Sequence, residues 1–392
     1  MAKQRRGNGE GGVSRRKDGS WMARYTVQTS AGRKRKVIYA KSQAEARRKL
    51  TEAIADRDRG LNYDSEGLTV GEYLARWLED SVRGSVKITT HASYDALVRL
   101  HICPTVGGTK LAALTAAHVQ TLYRRKLDEG LAPKTVKYIH TTLHRALKQA
   151  VRWGLVPRNA AADADPPRVS TPEMRPLSPT QAGTLLQTAK GNRLEALYVL
   201  AVTTGMRQGE LLGLGWEDVD LESRTVRVRR TLILAKGGPR LTEPKTPKSR
   251  RQIRLTTGAV DTLERHRERQ EAEQAAAGGA WNAWGLVFCT RRGTPIRRDN
   301  LHDKHWKPLL RRAGLPDIRF HDLRHTCATL LLTKGIHPKV VSEMLGHSSI
   351  AITLDTYSHV IPGMQEAAAR AMEDALGNGP GVGEDKRPVQ GD

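Results

Sequence analysis

Polar and apolar residues alternate in strand fashion near the start of the chain, predicting strands over Ser20–Val27 and Lys34–Ala40 with a turn at Thr29–Arg33. Asp18-Gly19 is a hairpin signal just ahead of Trp21, so Val13–Arg16 reads as a third, shorter strand. The period then lengthens. Ser42 and Glu45 have capping-box spacing, and Gln43–Arg59 reads as a helix that Gly60 ends. This opening segment predicts a small, very basic sheet with one helix.

From Thr69 onward the periodicity is helical. Thr69 and Glu72 repeat the capping-box spacing, and Val70, Leu74, Trp77 and Leu78 share one helical face. Tyr94, Leu97, Val98 and His101 mark a second helix, expected to end before Pro104. Val119, Leu122, Tyr123 and Leu127 mark a third after Thr115, and Val136, Ile139, Leu143, Leu147 and Val151 a fourth closed by Gly154. Helices in this succession predict a compact bundle. Lys134, Lys137, Lys148 and Arg152 lie off the apolar stripe of the fourth helix, as a phosphate-facing surface or as an ordinary solvated face.

The proline-rich stretch 163–176 has little periodicity and reads as a linker. A new domain opens at Ser178-Pro179-x-Gln181, an N-cap, a first-turn proline and a capping-box glutamine. Leu194–Gly215 reads as one buried helix, Thr225–Leu234 and Arg251–Leu255 as strands, and Thr257–Ala277 as a charged helix. Short strand, turn and helix signals then alternate up to a Gly-rich tail beyond Gly377.

Charge narrows the partner. A net charge of +24 over 392 residues and a pI near 10.3 point to a densely anionic partner, nucleic acid above all. A hydrophobic content of 38% suffices for packed cores and disfavours a wholly disordered chain. The longest apolar run, near Leu194–Val202, is far short of the roughly 18 residues of a membrane span, and no apolar region follows the basic start as in a secretory signal. The chain is therefore expected to stay in the cytoplasm, at the nucleoid. Cys103, Cys289 and Cys327 fit neither a disulfide framework nor structural zinc, so whatever chemistry occurs must come from other side chains.

Several polar residues stand where a long charged side chain needs a reason. Arg207 in Thr203-Thr204-Gly205-Met206-Arg207 adjoins an apolar helix pattern, with Glu210 at i+3 as an available partner, and a buried Arg-Glu pair is the plainer reading. His321 and Arg324, at i and i+3, project from one face where a helix begins, placing a proton carrier beside a cation at a positive helix end. That suits a phosphate, and equally a cap with a surface arginine. His347 follows Gly346 in a helix-terminating turn, and Tyr357 comes ten residues later; a lone tyrosine at helical spacing is ordinarily core.

As an ordered set these residues are specific. Arg207 in T-G-M-R-x-x-E-L, Lys245 in P-K-T-P-K-S-R-R, His321 and Arg324 in H-x-x-R, His347 in L-G-H and Tyr357 ahead of S-H-V resemble the tyrosine recombinases, in particular the phage-type integrases. The resemblance spans roughly residues 178–362. It implies a multidomain α+β fold: a small N-terminal sheet-and-helix arm-type DNA-binding domain (1–62, the first dozen residues or so disordered), an all-α four-helix core-binding domain (64–160), the linker, a mixed α/β catalytic domain (177–376) and a disordered tail (377–392). It also implies cutting and rejoining of DNA through a 3′-phosphotyrosine, without ATP or a required metal. Tyr357 would be the nucleophile, Arg207 and Arg324 the charge-stabilising cations, Lys245 the general acid, His321 the general base and His347 a donor to the phosphate. Lys248, Arg250 and Arg251 crowd the lysine's loop and are expected to hold backbone phosphates. The expected partners are double-stranded DNA at core-type and arm-type attachment sites, further copies of the chain in a synaptic tetramer, and an excisionase or DNA-bending protein. A dimer-resolving recombinase of the same family is the alternative; a type IB topoisomerase or a catalytically inactive DNA-binding regulator fits the residues less well.

Overall fold

The computed structural model describes residues 11–29, 32–58, 67–170, 174–235, 237–243, 249–358 and 364–376. Of the first dozen or so residues expected to be disordered, those up to residue 10 lie outside the described residues, as do the tail 377–392, Lys245 and Lys248, whereas Gly12 already belongs to a strand. Two compact units divide the chain, Met1–Thr171 and Pro172–Asp392.

In the first unit, β1 (Gly12–Arg15), β2 (Trp21–Thr29) and β3 (Gly32–Ala40) form an antiparallel sheet in that order. The β1–β2 turn uses the predicted Asp18-Gly19 pair: Gly19 takes φ +82°, and Asp18 accepts a 3.0 Å bond from the Ser20 amide. Alternate residues Ala23, Tyr25 and Val27 point to one side and pack on Leu50 of α1 (Gln43–Asp58).

The helical part contains α2 (Val70–Trp77), α3 (Ile88–Leu97), α4 (Cys103–Val106), α5 (Ala116–Asp128) and α6 (Pro133–Arg152). Thr69 and Glu72 make both bonds of the predicted capping box. Pro104 does not end a helix as expected. The chain passes from α3 through the wider turn Val98–Ile102 into α4, and Pro104 falls in the first turn of α4, where a missing N–H costs little. Tyr73, Trp77, Leu122, Ile139 and Leu143 fill the core, leaving the opposite face of α6 to solvent.

The second unit opens with α7 (Pro179–Ala189), capped by Ser178 and Gln181 as predicted, followed by α8 (Glu195–Thr204) and α9 (Gln208–Leu212). Strands β4 (Val219–Asp220), β5 (Thr225–Val228) and β8 (Arg251–Arg254) make one sheet, and β6 (Thr231–Ala235) with β7 (Gly238–Thr242) a separate hairpin. The run read as a single strand over Thr225–Leu234 is thus two strands. Arg229 and Arg230 divide them, both paired with the buried Asp218. Then come α10 (Thr257–Ala277), at its predicted bounds, α11 (Arg298–Asn300), α12 (Lys307–Arg312), α13 (Asp322–Thr333), α14 (Pro338–Leu345), α15 (Ile350–Tyr357) and α16 (Met364–Ala375). The main core joins α7, α8, α10 and α12 to β5 and β8; a smaller one gathers Ala328, Leu332, Val341, Leu345 and Tyr357 from α13, α14 and α15.

One break in this unit decides where the chemistry sits. Leu194–Gly215 is not a single helix: α8 stops at Gly205, whose φ of +60° turns the chain left-handed, and α9 starts afresh with Arg207 as its N-cap. A Cβ at Gly205 would collide with Leu345 and press on Cys327. Gly205→Ala is therefore expected to lower the stability of this unit by about 1–2 kcal/mol from backbone conformation alone, with the collision adding to it. Thermal unfolding measures this, and a melting curve unchanged from wild type contradicts it.

Candidate active site

Arg207 stands at the N-cap of α9, within reach of Glu210 in the first turn of that helix. Nη1 donates to Glu210 Oε1 at 2.7 Å, Nη2 donates to the Gly346 carbonyl at 3.2 Å, and the Arg207 amide donates to Glu210 Oε2 at 3.0 Å. Glu210 is buried and also accepts from Arg251 Nη2 at 2.9 Å. Burial works to raise the Glu210 pKa; the charges of Arg251 and Arg207 and their hydrogen bonds overcome it and hold the carboxyl below its ordinary value. Its ionised form therefore stabilises the fold fully above about pH 4.3, and that contribution is lost as the pH falls through the lower folded value. One carboxylate orients two guanidiniums, yet Arg207 keeps 37% of its side chain open to an incoming group.

Arg324 comes from the first turn of α13 and is almost wholly buried, with Nη1 donating to the Gly205 carbonyl at 2.8 Å. Its Nη2 is also buried and has no hydrogen-bond partner among the described residues. A buried, unsatisfied guanidinium nitrogen is costly unless something anionic completes it. Burial first, then repulsion from Arg207 and Arg251, pushes the Arg324 pKa down to about 9, still leaving it charged at neutral pH. His347 follows the left-handed Gly346 (φ +68°) that ends α14, and its Nδ1 lies 2.8 Å from Thr353 Oγ1. Burial, then Arg324, Arg207 and Arg251, pushes His347 down to about 4, so its ring is neutral near pH 7.

Tyr357 ends α15 and belongs to the smaller core, 2% exposed. Its hydroxyl lies 2.7 Å from Nδ1 of His325. Burial raises the phenol to about 12, against the opposing pull of Arg324, so the hydroxyl keeps its proton at neutral pH. His321 caps α13, and its ring meets that of His325 edge-on at 5.4 Å. Desolvation first, then His325 and Arg324, pushes His321 down to about 4.

Arg207, His321, His347 and Tyr357 thus gather around the Arg324 guanidinium, while the Lys245 position lies outside the described residues. Three arginines facing one glutamate leave an excess of fixed positive charge that suits a phosphodiester. His325 has no assigned role in the sequence reading, although it directly follows the H-x-x-R spacing. No local pattern reveals that it meets a hydroxyl 32 residues further on. Arg251 requires a correction: expected to hold DNA phosphates, it is buried and donates to Glu210, to the Met344 carbonyl at 2.6 Å and to the Ser249 carbonyl at 3.0 Å. Arg250 is exposed and pairs with Glu243 at 2.5 Å. On α6, Lys134, Lys137, Lys148 and Arg152 are all exposed, and Tyr138 and Arg145 complete the same helical face. Among the described residues no cluster of His, Cys, Asp or Glu has the arrangement to hold a metal, and no helix is long and apolar enough to cross a membrane.

Comparison with known proteins extends this picture. Residues 175–363 match the phage integrase family, and residues 69–127 match its N-terminal SAM-like domain. A protein named tyrosine recombinase XerC-like from Caldanaerobacter subterraneus subsp. tengcongensis is 34% identical over 375 residues, covering 89% of this chain and 96% of its own. An integrase of Streptomyces ambofaciens is 30% identical over 404 residues, covering 97% of this chain and 100% of its own. Among solved structures, the Tn1549 transposon integrase in complex with transposon right end DNA superposes with a TM-score of 0.65 at 24% identity, over 79% of this chain and 100% of that one. A lambda integrase dimer bound to a COC′ core site gives 0.54 at 18% identity, over 92% and 96%. At such identities the structural likeness speaks for the fold alone. Fold, site and relatives together define a tyrosine recombinase. The chain belongs to the phage integrase family.

Proposed function

We infer that this site-specific DNA recombinase acts as an integrase, inserting a phage or integrative element and, with an accessory protein, excising it. The observation that carries the reading is the buried Arg324 Nη2, without a hydrogen-bond partner among the described residues and set with Arg207 and Arg251 near a buried tyrosine hydroxyl. In this reading Tyr357 attacks the scissile phosphorus, forming a 3′-phosphotyrosine and releasing a 5′-hydroxyl, so the bond energy is kept for rejoining. Arg207 and Arg324 bind the two non-bridging oxygens as charge builds on them, and the Arg324 Nη2 donor finds its acceptor there. In the tautomer with its proton on Nε2, His347 accepts from Thr353 on Nδ1 and presents that proton to the same phosphate, and His321 stands beside Arg324 at the head of α13. Lys245 protonates the leaving 5′-oxygen.

If the arginines act in the transition state, Arg207→Ala and Arg324→Ala slow cleavage far more than they weaken DNA binding, each by about 2.7–4 kcal/mol of barrier. Arg→Lys restores little, because a point charge cannot reproduce the planar fork. Single-turnover cleavage and gel-shift titrations read the two quantities; equal losses in both, or full rescue by lysine, contradict the role.

The rest of the molecule supports binding of extended DNA. The face of α6 carrying Lys134, Lys137, Arg145, Lys148 and Arg152 has the charge to follow a phosphate backbone. The N-terminal sheet leaves Arg24, Arg35 and Tyr39 exposed on the side away from α1, as a β-sheet DNA reader requires. We assign this sheet to arm-type sites, the bundle to core-type sites, Lys248 and Arg250 to backbone phosphates, and the active assembly to a tetramer on synapsed DNA in the cytoplasm. Dimer resolution by a recombinase of the same family is the second reading, left open by the tyrosine recombinase XerC-like relative, whereas the added basic sheet favours integration. Fragments spanning the two ends of the element that carries the gene distinguish them. The full chain joins such ends at one fixed crossover, and a truncation starting near residue 64 still cleaves a core site but loses arm-site affinity with a shallower salt dependence. Absence of joined ends, or full integration by the truncated chain, contradicts the proposal.

A further inference from the structure

Resemblance to the family gives the proton-acceptor role to His321, but the atom in contact with the nucleophile belongs to another residue. The Tyr357 hydroxyl lies 2.7 Å from His325 Nδ1, and His321 makes no hydrogen bond to it among the described residues. We propose that His325 is the catalytic base that takes the Tyr357 proton during strand cleavage and returns it during rejoining. The inference rests on the phosphotyrosyl reading above.

Geometry and chemistry agree on the direction of transfer. A tyrosine hydroxyl must lose its proton as it attacks, and a general base has to stand within hydrogen-bond reach of that proton, about 2.6–3.2 Å. His325 is anchored on α13, the helix that carries Arg324, so the base and the phosphate-binding guanidinium are held by one rigid element. The groups facing its ring are His321, Asp322, Arg319 and Arg324 from its own helix and the preceding turn, Tyr357 from α15 and His347 from the turn before α15. Partial burial first, with Arg319 and Arg324 acting in the same sense and Asp322 opposing, holds His325 below the ordinary histidine pKa. At neutral pH it is therefore an imidazole with a lone pair to offer. Acceptance on Nδ1 requires the tautomer with its proton on Nε2.

The step balances without a co-reactant. The Tyr357 O–H bond breaks and its proton passes to His325 Nδ1, which becomes imidazolium. The Tyr357 oxygen bonds to phosphorus, the bond from phosphorus to the 5′-oxygen breaks, and that oxygen takes its proton from the Lys245 ammonium. Rejoining reverses each transfer. His321, at the head of the helix, is left free to serve the phosphate.

Asparagine is the discriminating replacement, because its side-chain amide occupies the place of Nδ1: it holds a hydroxyl in position but takes no proton. On a nicked suicide duplex at saturating protein, His325→Asn is expected to keep its DNA affinity and melting temperature while forming the covalent complex about 100-fold or more slowly. In the wild type the rate rises with pH and levels off below about 6.5, the unperturbed histidine value. His325→Asn loses that acidic limb, whereas His321→Gln retains it. Cleavage by His325→Asn within threefold of wild type reduces the contact to seating the hydroxyl and overturns the proposal; faster cleavage makes the contact a resting latch and overturns it also. Loss of the acidic limb in His321→Gln, with the limb kept in His325→Asn, returns the role to His321. Where His325→Asn melts early, His325→Gln is read by the same profile. Failure of the wild type to form any covalent complex is a separate result, and it refutes the phosphotyrosyl reading itself.

Discussion

Lys245→Ala slows cleavage of ordinary DNA by about 10²–10⁴-fold and recovers most of that loss on DNA whose scissile phosphate carries sulfur in place of the bridging 5′-oxygen. An alkoxide leaves poorly unless protonated as its bond breaks, whereas a thiolate needs no proton. Removing a general acid is therefore masked by the sulfur, while removing a charge-stabilising arginine is not, because the non-bridging oxygens are unchanged. The chain around Lys245 supports this role. Six residues further on, the Arg251 side chain is buried against Glu210, and Ser249 is buried as well, so the described chain resumes at the active site four residues after Lys245. Lys248, three residues along the same segment, is the competing acid. Selective sulfur rescue of Lys248→Ala, without rescue of Lys245→Ala, transfers the role to Lys248.

Local signals carried much of the fold. The capping pairs Thr69/Glu72 and Ser178/Gln181 are visible in sequence because a cap is satisfied by residues three positions apart, and both form as read. Helix α10 has its predicted bounds because a cap at Thr256 and a glycine at 278 bracket a long polar-faced run. The failures are tertiary. Leu194–Gly215 is apolar throughout, and hydrophobicity alone does not register that Gly205 turns left-handed to bring its carbonyl to Arg324. Arg251 looks like one more cation in a basic loop, since its charge gives no hint of a glutamate 41 positions upstream. Pro104 reads as a stop because its sequence context does not distinguish the end of one helix from the first turn of the next. At the site, type and order of residues were legible in sequence, but the pairing of Tyr357 with His325 was not, because it depends on how α15 packs against α13.

The central claim is that Tyr357 becomes covalently joined to DNA. Tyr357→Phe removes one oxygen from a side chain held in a packed cluster, so the fold and the DNA-binding surfaces should persist while the attacking atom is gone. The loss of cleavage is therefore expected to be complete rather than partial. The most direct measurement is denaturing electrophoresis after incubation with a nicked suicide duplex, followed by mass spectrometry of the linked peptide. The wild type is predicted to give an SDS-resistant complex with the DNA 3′-phosphate on Tyr357, and Tyr357→Phe to bind the same duplex and give none. An adduct of undiminished yield in Tyr357→Phe, or linkage mapped to any other residue, would contradict the account.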